Sequence, residues 1–496
     1  MKRTSVIQEA FVDKALFNTR RHFLKQCTSG LGGLAISSLL GGCLGETSAK
    51  LLTGIDENPL AVRPPHFAPK AKRIIFMHME GAPSQLELFD YKPELAKLDG
   101  QLCPPSLLEG KRFAFIKGVP KMLGPQSTFQ QFGQSGAWFS DYFNYLPKLA
   151  DELTFLKAMH TDEFNHAPAQ LFMHTGSARV GRPSLGSWIT YGLGSENQNM
   201  PGYVVLVSGS EPSAGKYLWG NGFLPSVYQG VQCRSKGDPV LYINNPGEVD
   251  STLRKQSIET INKINELTYQ EIGDPEILTR ISQYELAYRM QAEVPGTMDI
   301  SGEPAYIHEM YGTEIGKSSF ANNCLLARKL LEKGVRVVQL FDRRWDNHGT
   351  DAGSGVDIGL RRNIEYVDKP ISALILDLKQ RGLLEDTLIV WGGEFGRTPM
   401  MENRAGDNNT PYKGRDHHVD AFTMFMVGAG LKKGYSHGET DEIGYYGING
   451  RTHIHDLQAT ILHLMGFNHE KLIFPFQGRN FRLTDVAGKV INEVLA

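Results

Sequence analysis

The 496-residue sequence has few cysteines, little net charge and few long apolar runs, and each shortage excludes something. Of its five cysteines, Cys27 and Cys43 lie near the N-terminus, leaving Cys103, Cys233 and Cys324 at wide spacing. An odd, scattered set is neither a disulfide framework nor a zinc-ribbon pattern, so these three read as buried thiols. The formal net charge of −2 gives no sign of a nucleic-acid or polyanion partner. Beyond the N-terminus no apolar stretch approaches the length that spans a bilayer. There is no P-loop, no G-x-G-x-x-G in a strand–turn–helix setting, no G-x-S-x-G elbow and no internal repeat.

What is plentiful is glycine (53) and proline (25), which suits a loop-rich α/β enzyme better than a helical bundle. The length fits one large α/β domain with insertions, or two domains. Residues 1–45 read as an export segment, not as fold. Thr19-Arg-Arg-His-Phe-Leu-Lys25 matches a twin-arginine signal, and a weakly apolar, Gly-rich run follows it. Leu40-Gly-Gly-Cys43 resembles a lipobox, which would place a lipid anchor on Cys43. Residues 46–72, with Pro59, Pro64, Pro65 and Pro69, read as a linker. The expected location is therefore the periplasm, free or as a membrane-anchored lipoprotein.

From residue 73 a strand–helix rhythm predicts a doubly wound, mostly parallel α/β fold. Strands are predicted at 73–79, 153–159, 203–207, 335–341, 388–391 and 423–427. Helices are predicted at 167–176, 184–191, 320–333, 364–381 and 457–465. Between about 210 and 300 the pattern becomes amphipathic at helical spacing, over 253–267 and 275–292, with Asp274 as N-cap and Pro275 at the first helical position. That stretch reads as a helical insertion.

The chemistry gathers in the C-terminal half. The apolar run Leu388–Trp391 stops at two glycines and presents Glu394 and Arg397 beyond the carboxyl end of a strand. A short stretch later, Asp416, His417 and His418 stand side by side on an expected loop. Asp346 and His348 follow another predicted strand, two residues apart, so both project to one side of an extended segment. His453 and His455 repeat that spacing before a helix, for which Asp456 reads as N-cap. Carboxylate and imidazole together are the usual ligands of a divalent metal. Arg397 is a candidate to steady a substrate's anionic charge. The alternatives are a Glu394–Arg397 salt bridge and solvated loops.

Five segments together resemble the exported DUF1501 proteins, which themselves look like remote members of the alkaline phosphatase/sulfatase superfamily. They are Gly81–Asp90, Trp345–Gly349, Trp391–Pro399, Gly414–His418 and His453–Leu462. The superfamily resemblance implies two metals near a nucleophile at the carboxyl edge of a central sheet. It implies ligand roles for Asp346, His348 and Glu394, and for His453 or His455. Phe395 falls where the superfamily has a histidine, which His417 or His418 would replace. His166-Ala-Pro-Ala-Gln170 followed by Thr175-Gly176 has the spacing of the sulfatase nucleophile motif, with His166 at the nucleophile position. His166 would then be nucleophile, general base or ligand. Ser84 is the fallback nucleophile, and Glu80 a candidate first acidic ligand.

The expectation is an exported metal-dependent hydrolase of a sulfate or phosphate ester. Its substrate would be a small anionic ester or a sulfated or phosphorylated glycan. Zinc is the favoured metal, as one or two ions, with Mn and Ca as alternatives. The export machinery is an expected partner, and nucleic acid is not. The rival is a non-catalytic envelope binding or assembly protein with a metal in the same fold.

Overall fold

A computed structural model describes residues 58–240, 243–245 and 249–496. The expected export signal, with Cys43, and the start of the expected linker lie outside the described residues. Residues 58–72 are not a free tether. Leu60 and Ala71 are buried, and the backbone of Arg63, His66, Lys70 and Ala71 donates to carbonyls of Leu193, Gly466 and Leu464.

The centre is a nine-stranded sheet. Its strands are β1 (Arg73–Glu80), β2 (Leu153–His160), β3 (Tyr203–Ser208), β4 (Val231–Cys233), β5 (Val337–Arg343) and β6 (Thr387–Gly392), then β9 (Phe422–Gly428), β10 (Tyr435–His437) and β11 (Thr452–His453). Strands β7 (Gly396–Met401) and β8 (Arg415–His418) form a separate antiparallel ribbon. The sheet order is β10-β2-β9-β6-β1-β5-β3-β4, with β11 also on β2. Pairing is parallel throughout except at β9, which runs antiparallel to both β2 and β6. Position in the sheet explains the composition of each strand. β1 lies between β5 and β6, so its Ile74–Glu80 is buried on both faces and reads as one apolar run.

Helices α1 (His166–Thr175), α2 (Leu185–Leu193), α5 (Phe320–Glu332), α6 (Ile358–Gln380) and α7 (Ile454–Leu464) supply the connections. The expected insertion contains the paired helices α3 (Ser251–Ile272) and α4 (Pro275–Met298). Asp274 caps α4 by accepting from Glu276 N at 3.1 Å. Two expectations are corrected. Residues 415–418 are a strand, because β7 offers an open edge on which Arg415, His417 and His418 pair with Met401, Arg397 and Gly396. Asp456 is not the N-cap of α7. His453 holds that position, and Asp456 reaches back to accept from His453 N at 3.0 Å, as a capping box does.

Candidate metal centre at the carboxyl edge of the sheet

The carboxyl ends of β1, β2, β5 and β6 point to one edge of the sheet. The segments leaving them carry Glu80, His166, Asp346 with His348, and Glu394. The β7–β8 ribbon lies over this edge and brings His417 opposite Arg397. Two glycines permit the close packing. Gly81 has φ +109°, and a Cβ there would sit 2.4 Å from Asp346 N. A Cβ on Gly414 would meet the His348 carbonyl carbon at 1.9 Å.

Four side chains converge. Ligand atoms of His166, Asp346, His348 and His417 all lie within 4.8 Å of one another and could hold a metal ion. Asp346 Oδ1 is 2.7 Å from His348 Nε2, 3.3 Å from His166 Nε2 and 3.4 Å from His417 Nε2. The Nε2 atoms of His348 and His417 are 3.1 Å apart.

The far side of each ring decides which nitrogen faces inward. His417 Nδ1 donates to the Phe164 carbonyl at 2.6 Å. His166 Nδ1 meets Glu394 Oε1 at 2.7 Å, and His348 Nδ1 meets the Glu402 carboxylate. Each Nδ1 faces an acceptor, so in the neutral ring each Nε2 turns a lone pair toward Asp346. Backing a histidine with a carboxylate or carbonyl is the usual support for a metal ligand. Two facing lone pairs at 3.1 Å repel unless a proton or a cation lies between them. With nitrogen–zinc bonds of about 2.0–2.1 Å, two ligands on one tetrahedral ion lie roughly 3.3 Å apart, so the residues present fit such a group.

Asp346 is held well below the usual carboxylate range. Burial opposes this, but the Arg397 guanidinium and the three imidazoles outweigh it. His166 is pushed up to about 9, because its bonds to Asp346 and Glu394 overcome burial. His417 is pushed down to about 4 by burial, helped by the charges of Arg397 and His166 against Asp346. In the cation-free protein, a proton on His166 therefore counters Asp346.

Several residues named from the sequence have other placements. Arg397 is 0% exposed. Its Nε donates to Ala82 O at 3.0 Å, its Nη1 to Arg415 O at 3.0 Å, and its Nη2 to Asp346 at 2.5 Å and to Gly81 O. It positions Asp346 and cannot face a substrate anion. Glu394 is buried behind His166 and is not in the converging group. Its Oε1 also accepts from Gly81 N and Gln170 Nε2, and its Oε2 lies 3.1 Å from His78 Nε2. Alternation along β8 turns His418 the opposite way from His417, to stack on Tyr445 and donate to the Tyr445 carbonyl at 2.5 Å.

Asp416 accepts from Phe115 N and Ile116 N at 2.7 and 2.9 Å, and falls in a second possible ligand group with His348 and Glu402. His453 and His455 belong to neither group. His453 caps α7 and pairs with Asp162 at 3.3 Å, and His455 Nε2 donates to Gly176 O at 3.1 Å. Ser84 is buried beside this edge and does not line the open cavity of Glu80, His166 and Asp346. Glu80 does line that cavity, but its Oε1 accepts from Ser213 and Gln170 and lies in neither ligand group. Phe395 packs against His166 and His417, at 5.0 and 4.5 Å between ring centroids. His417, not His418, is thus the imidazole beside it.

An open cavity of about 220 Å³ reaches the centre from outside, lined by Glu80, His166, Ser213, Arg343, Arg344 and Asp346 among others. On another side Phe115 turns its ring edge-on to His348 and His417, at 4.9 and 5.6 Å, under the Arg404 guanidinium. Sequence reading missed Glu402, Phe115, Phe164, Arg343 and Arg344. No spacing links Phe115 or Phe164 to a histidine hundreds of residues away. Only Arg343 and Arg344, beside Asp346, carried a local signal.

A profile of the family described as "Protein of unknown function (DUF1501)" matches residues 71–495. The chain belongs to the DUF1501 family. No curated protein matches it. Among solved structures it is similar to the PsFucS1 sulfatase from Pseudoalteromonas sp., with 12% identity, 86% of this chain and 71% of that chain covered, and a TM-score of 0.34. It is also similar to a protein in the alkaline phosphatase superfamily from Vibrio parahaemolyticus (11% identity, 87% and 78% covered, TM-score 0.33). A third is the alkaline phosphatase from the Antarctic bacterium TAB5 (10% identity, 81% and 99% covered, TM-score 0.28). Likeness at this level assigns no activity to this DUF1501 chain.

Proposed function

We propose that this DUF1501 protein is an exported, metal-dependent hydrolase of a sulfate or phosphate ester. The observation that carries the reading is the convergence of His166, Asp346, His348 and His417 on one point beside an open cavity, each imidazole presenting Nε2 inward. Asp346, His348 and His417 would hold the ion, and a set in which imidazole outnumbers carboxylate favours zinc over Mn or Ca. A divalent cation held there supplies Lewis acidity, polarising an ester oxygen and offsetting charge that develops on it. Everything else falls to the chain's own groups. Arg397 fixes the Asp346 carboxylate. Phe115 keeps water from the far side of His348 and His417. His166 lines the cavity with its Nε2 3.3 Å from Asp346 Oδ1, so it is placed to take or give a proton at that atom. Glu394 holds the opposite side of that ring.

One observation favours the non-catalytic rival. Ser84, the hydroxyl named from the sequence, is buried away from the cavity. The deciding experiment measures metal content of the purified protein, then turnover of aryl sulfates and aryl phosphates before and after chelation. Turnover that disappears on chelation and returns with metal supports the hydrolase. Bound metal without turnover supports the rival, and absence of metal sinks both.

A further inference from the structure

A hydrolase of anionic esters must attract an anion to a site already rich in carboxylates. Glu80 and Asp346 both line the cavity, and Arg397 is wholly committed to Asp346 and backbone carbonyls. Positive charge beyond that of a bound cation and of His166 has to come from other side chains. We propose that Arg343 and Arg344 form the oxyanion-binding subsite of this cavity, receiving a sulfate- or phosphate-type group. The catalytic meaning of the subsite rests on the hydrolase reading. Its affinity for an anion does not.

Four observations carry the assignment. Both arginines line the 220 Å³ cavity together with His166 and Asp346, so an anion they hold lies beside the converging ligands. Arg344 makes no ion pair among the described residues, though its Nε donates to Arg343 O at 3.2 Å, and Arg343 forms one loose ion pair, with Glu80 at 3.8 Å. Arg343 is tethered chiefly by uncharged partners. Its Nη1 donates to Ser210 Oγ at 2.8 Å, and its side chain remains 48% exposed. The fourth observation is backbone strain. Arg344 has φ +107°, a region that glycine occupies freely and other residues rarely adopt.

The chain around Arg344 enforces that conformation. Asn363 donates to the Arg344 carbonyl, and Trp345 N donates to Glu80 O at 3.1 Å. The Trp345 indole is buried, with its N–H on Asp342 at 3.0 Å. The guanidinium of Arg344 lies 5.2 Å from the Tyr366 ring centroid, which gives its planar group a surface to lie against. A residue kept in a strained backbone, where glycine would be easier, has a use for its side chain. Two guanidinium forks at one cavity suit a tetrahedral oxyanion, since each presents paired N–H donors. The cavity has room for that group, and its open side leaves the remainder of an ester outside.

The test measures binding of inorganic phosphate and inorganic sulfate by calorimetry, on chelated and on metal-loaded protein, at low salt. Arg343→Gln and Arg344→Gln are each expected to weaken anion binding about tenfold or more in both forms. Arg344→Gly separates recognition from folding. It relieves the φ strain, so the melting temperature is expected to rise while anion affinity falls as in Arg344→Gln. Wild-type affinity in both Gln variants, or no anion binding by the chelated wild-type protein, overturns the proposal. A fall in both melting temperature and affinity for Arg344→Gly assigns Arg344 to the fold and also overturns it. Anion binding that depends on both arginines, in a protein that turns over no ester, keeps the subsite and rejects the hydrolase reading.

Discussion

Replacing Arg397 by methionine removes a buried guanidinium while roughly keeping its length. Three backbone carbonyls, of Ala82, Gly81 and Arg415, lose their donor, and Asp346 loses its cation. A buried acceptor left unpaired costs about 1–3 kcal/mol, and a buried pair broken on one side costs about 3–5 kcal/mol. The ion-pair share is discounted, because the Asp346 side chain keeps 41% of its surface exposed and water screens it. The expected loss is about 4 kcal/mol, read by urea unfolding of the chelated protein. Arg397→Lys keeps the charge, but one ammonium cannot serve acceptors on four residues, so an intermediate loss of about 2 kcal/mol is expected. Metal affinity is expected to fall in both variants as Asp346 loses its orientation. A loss below about 1 kcal/mol for Arg397→Met, with anion binding abolished, would refute the positioning role and return Arg397 to the substrate.

The adjacent histidines of β8 are expected to separate cleanly: His417→Ala loses bound metal by elemental analysis, while His418→Phe retains it and loses about 1 kcal/mol from the missing bond to Tyr445 O. Glu402→Gln, which weakens the support behind His348, is expected to lower metal affinity roughly 10–100-fold in a competition titration. Asp342 is pushed up to about 7 by burial, so between pH 4 and 7 the folded state binds more protons than the unfolded state. Stability therefore falls across that window and stays low above it, and Asp342→Asn is expected to stabilise the protein at pH 8 by up to about 4 kcal/mol and hardly at pH 4. Equal effects at both pH values in urea unfolding would refute that assignment.

What the sequence disclosed and what it hid divide along a physical line. Strands β1 and β6 were legible because burial on both faces demands an unbroken apolar run. The α4 start was legible because capping is local chemistry at Asp274 and Pro275. The convergence of the loops after β5 and β6 followed from a parallel sheet, whose crossovers bring strand ends to one edge. Residue roles at that edge were less legible, since they depend on which face of an element turns inward. His417 and His418 are identical in type and adjacent, and only the pairing of β8 on β7 decides between them. Asp346 and His348 meet at 2.7 Å, but through a tight turn in which His348 N donates to Asp346 O, not through the extended backbone that their spacing suggests. Glu394 and Arg397 shifted from the front of the site to the layer behind it. Their charge marked the neighbourhood, but their depth came from loops distant in sequence, at Gly81 and Arg415.

The proposed cation site turns on Asp346 Oδ1. One carboxylate oxygen has two lone pairs, yet Arg397 and three imidazoles surround it within 3.4 Å. Arg397 is an obligate donor and His166 gains a proton, which together fill those lone pairs. That leaves the Nε2 atoms of His348 and His417 facing the same oxygen, and each other, with their own Nδ1 protons directed at Glu402 and Phe164. His417 cannot relieve the crowding by protonation, because burial and the charges of Arg397 and His166 drive its pKa down to about 4. Two imidazole nitrogens crowded on one oxygen and on each other are costly unless something lies between them. Retaining both, and backing each with a buried oxygen acceptor, makes sense for a site that closes around a cation. Glu394 and Glu402, held behind two of the rings, add the negative charge that such a cation balances.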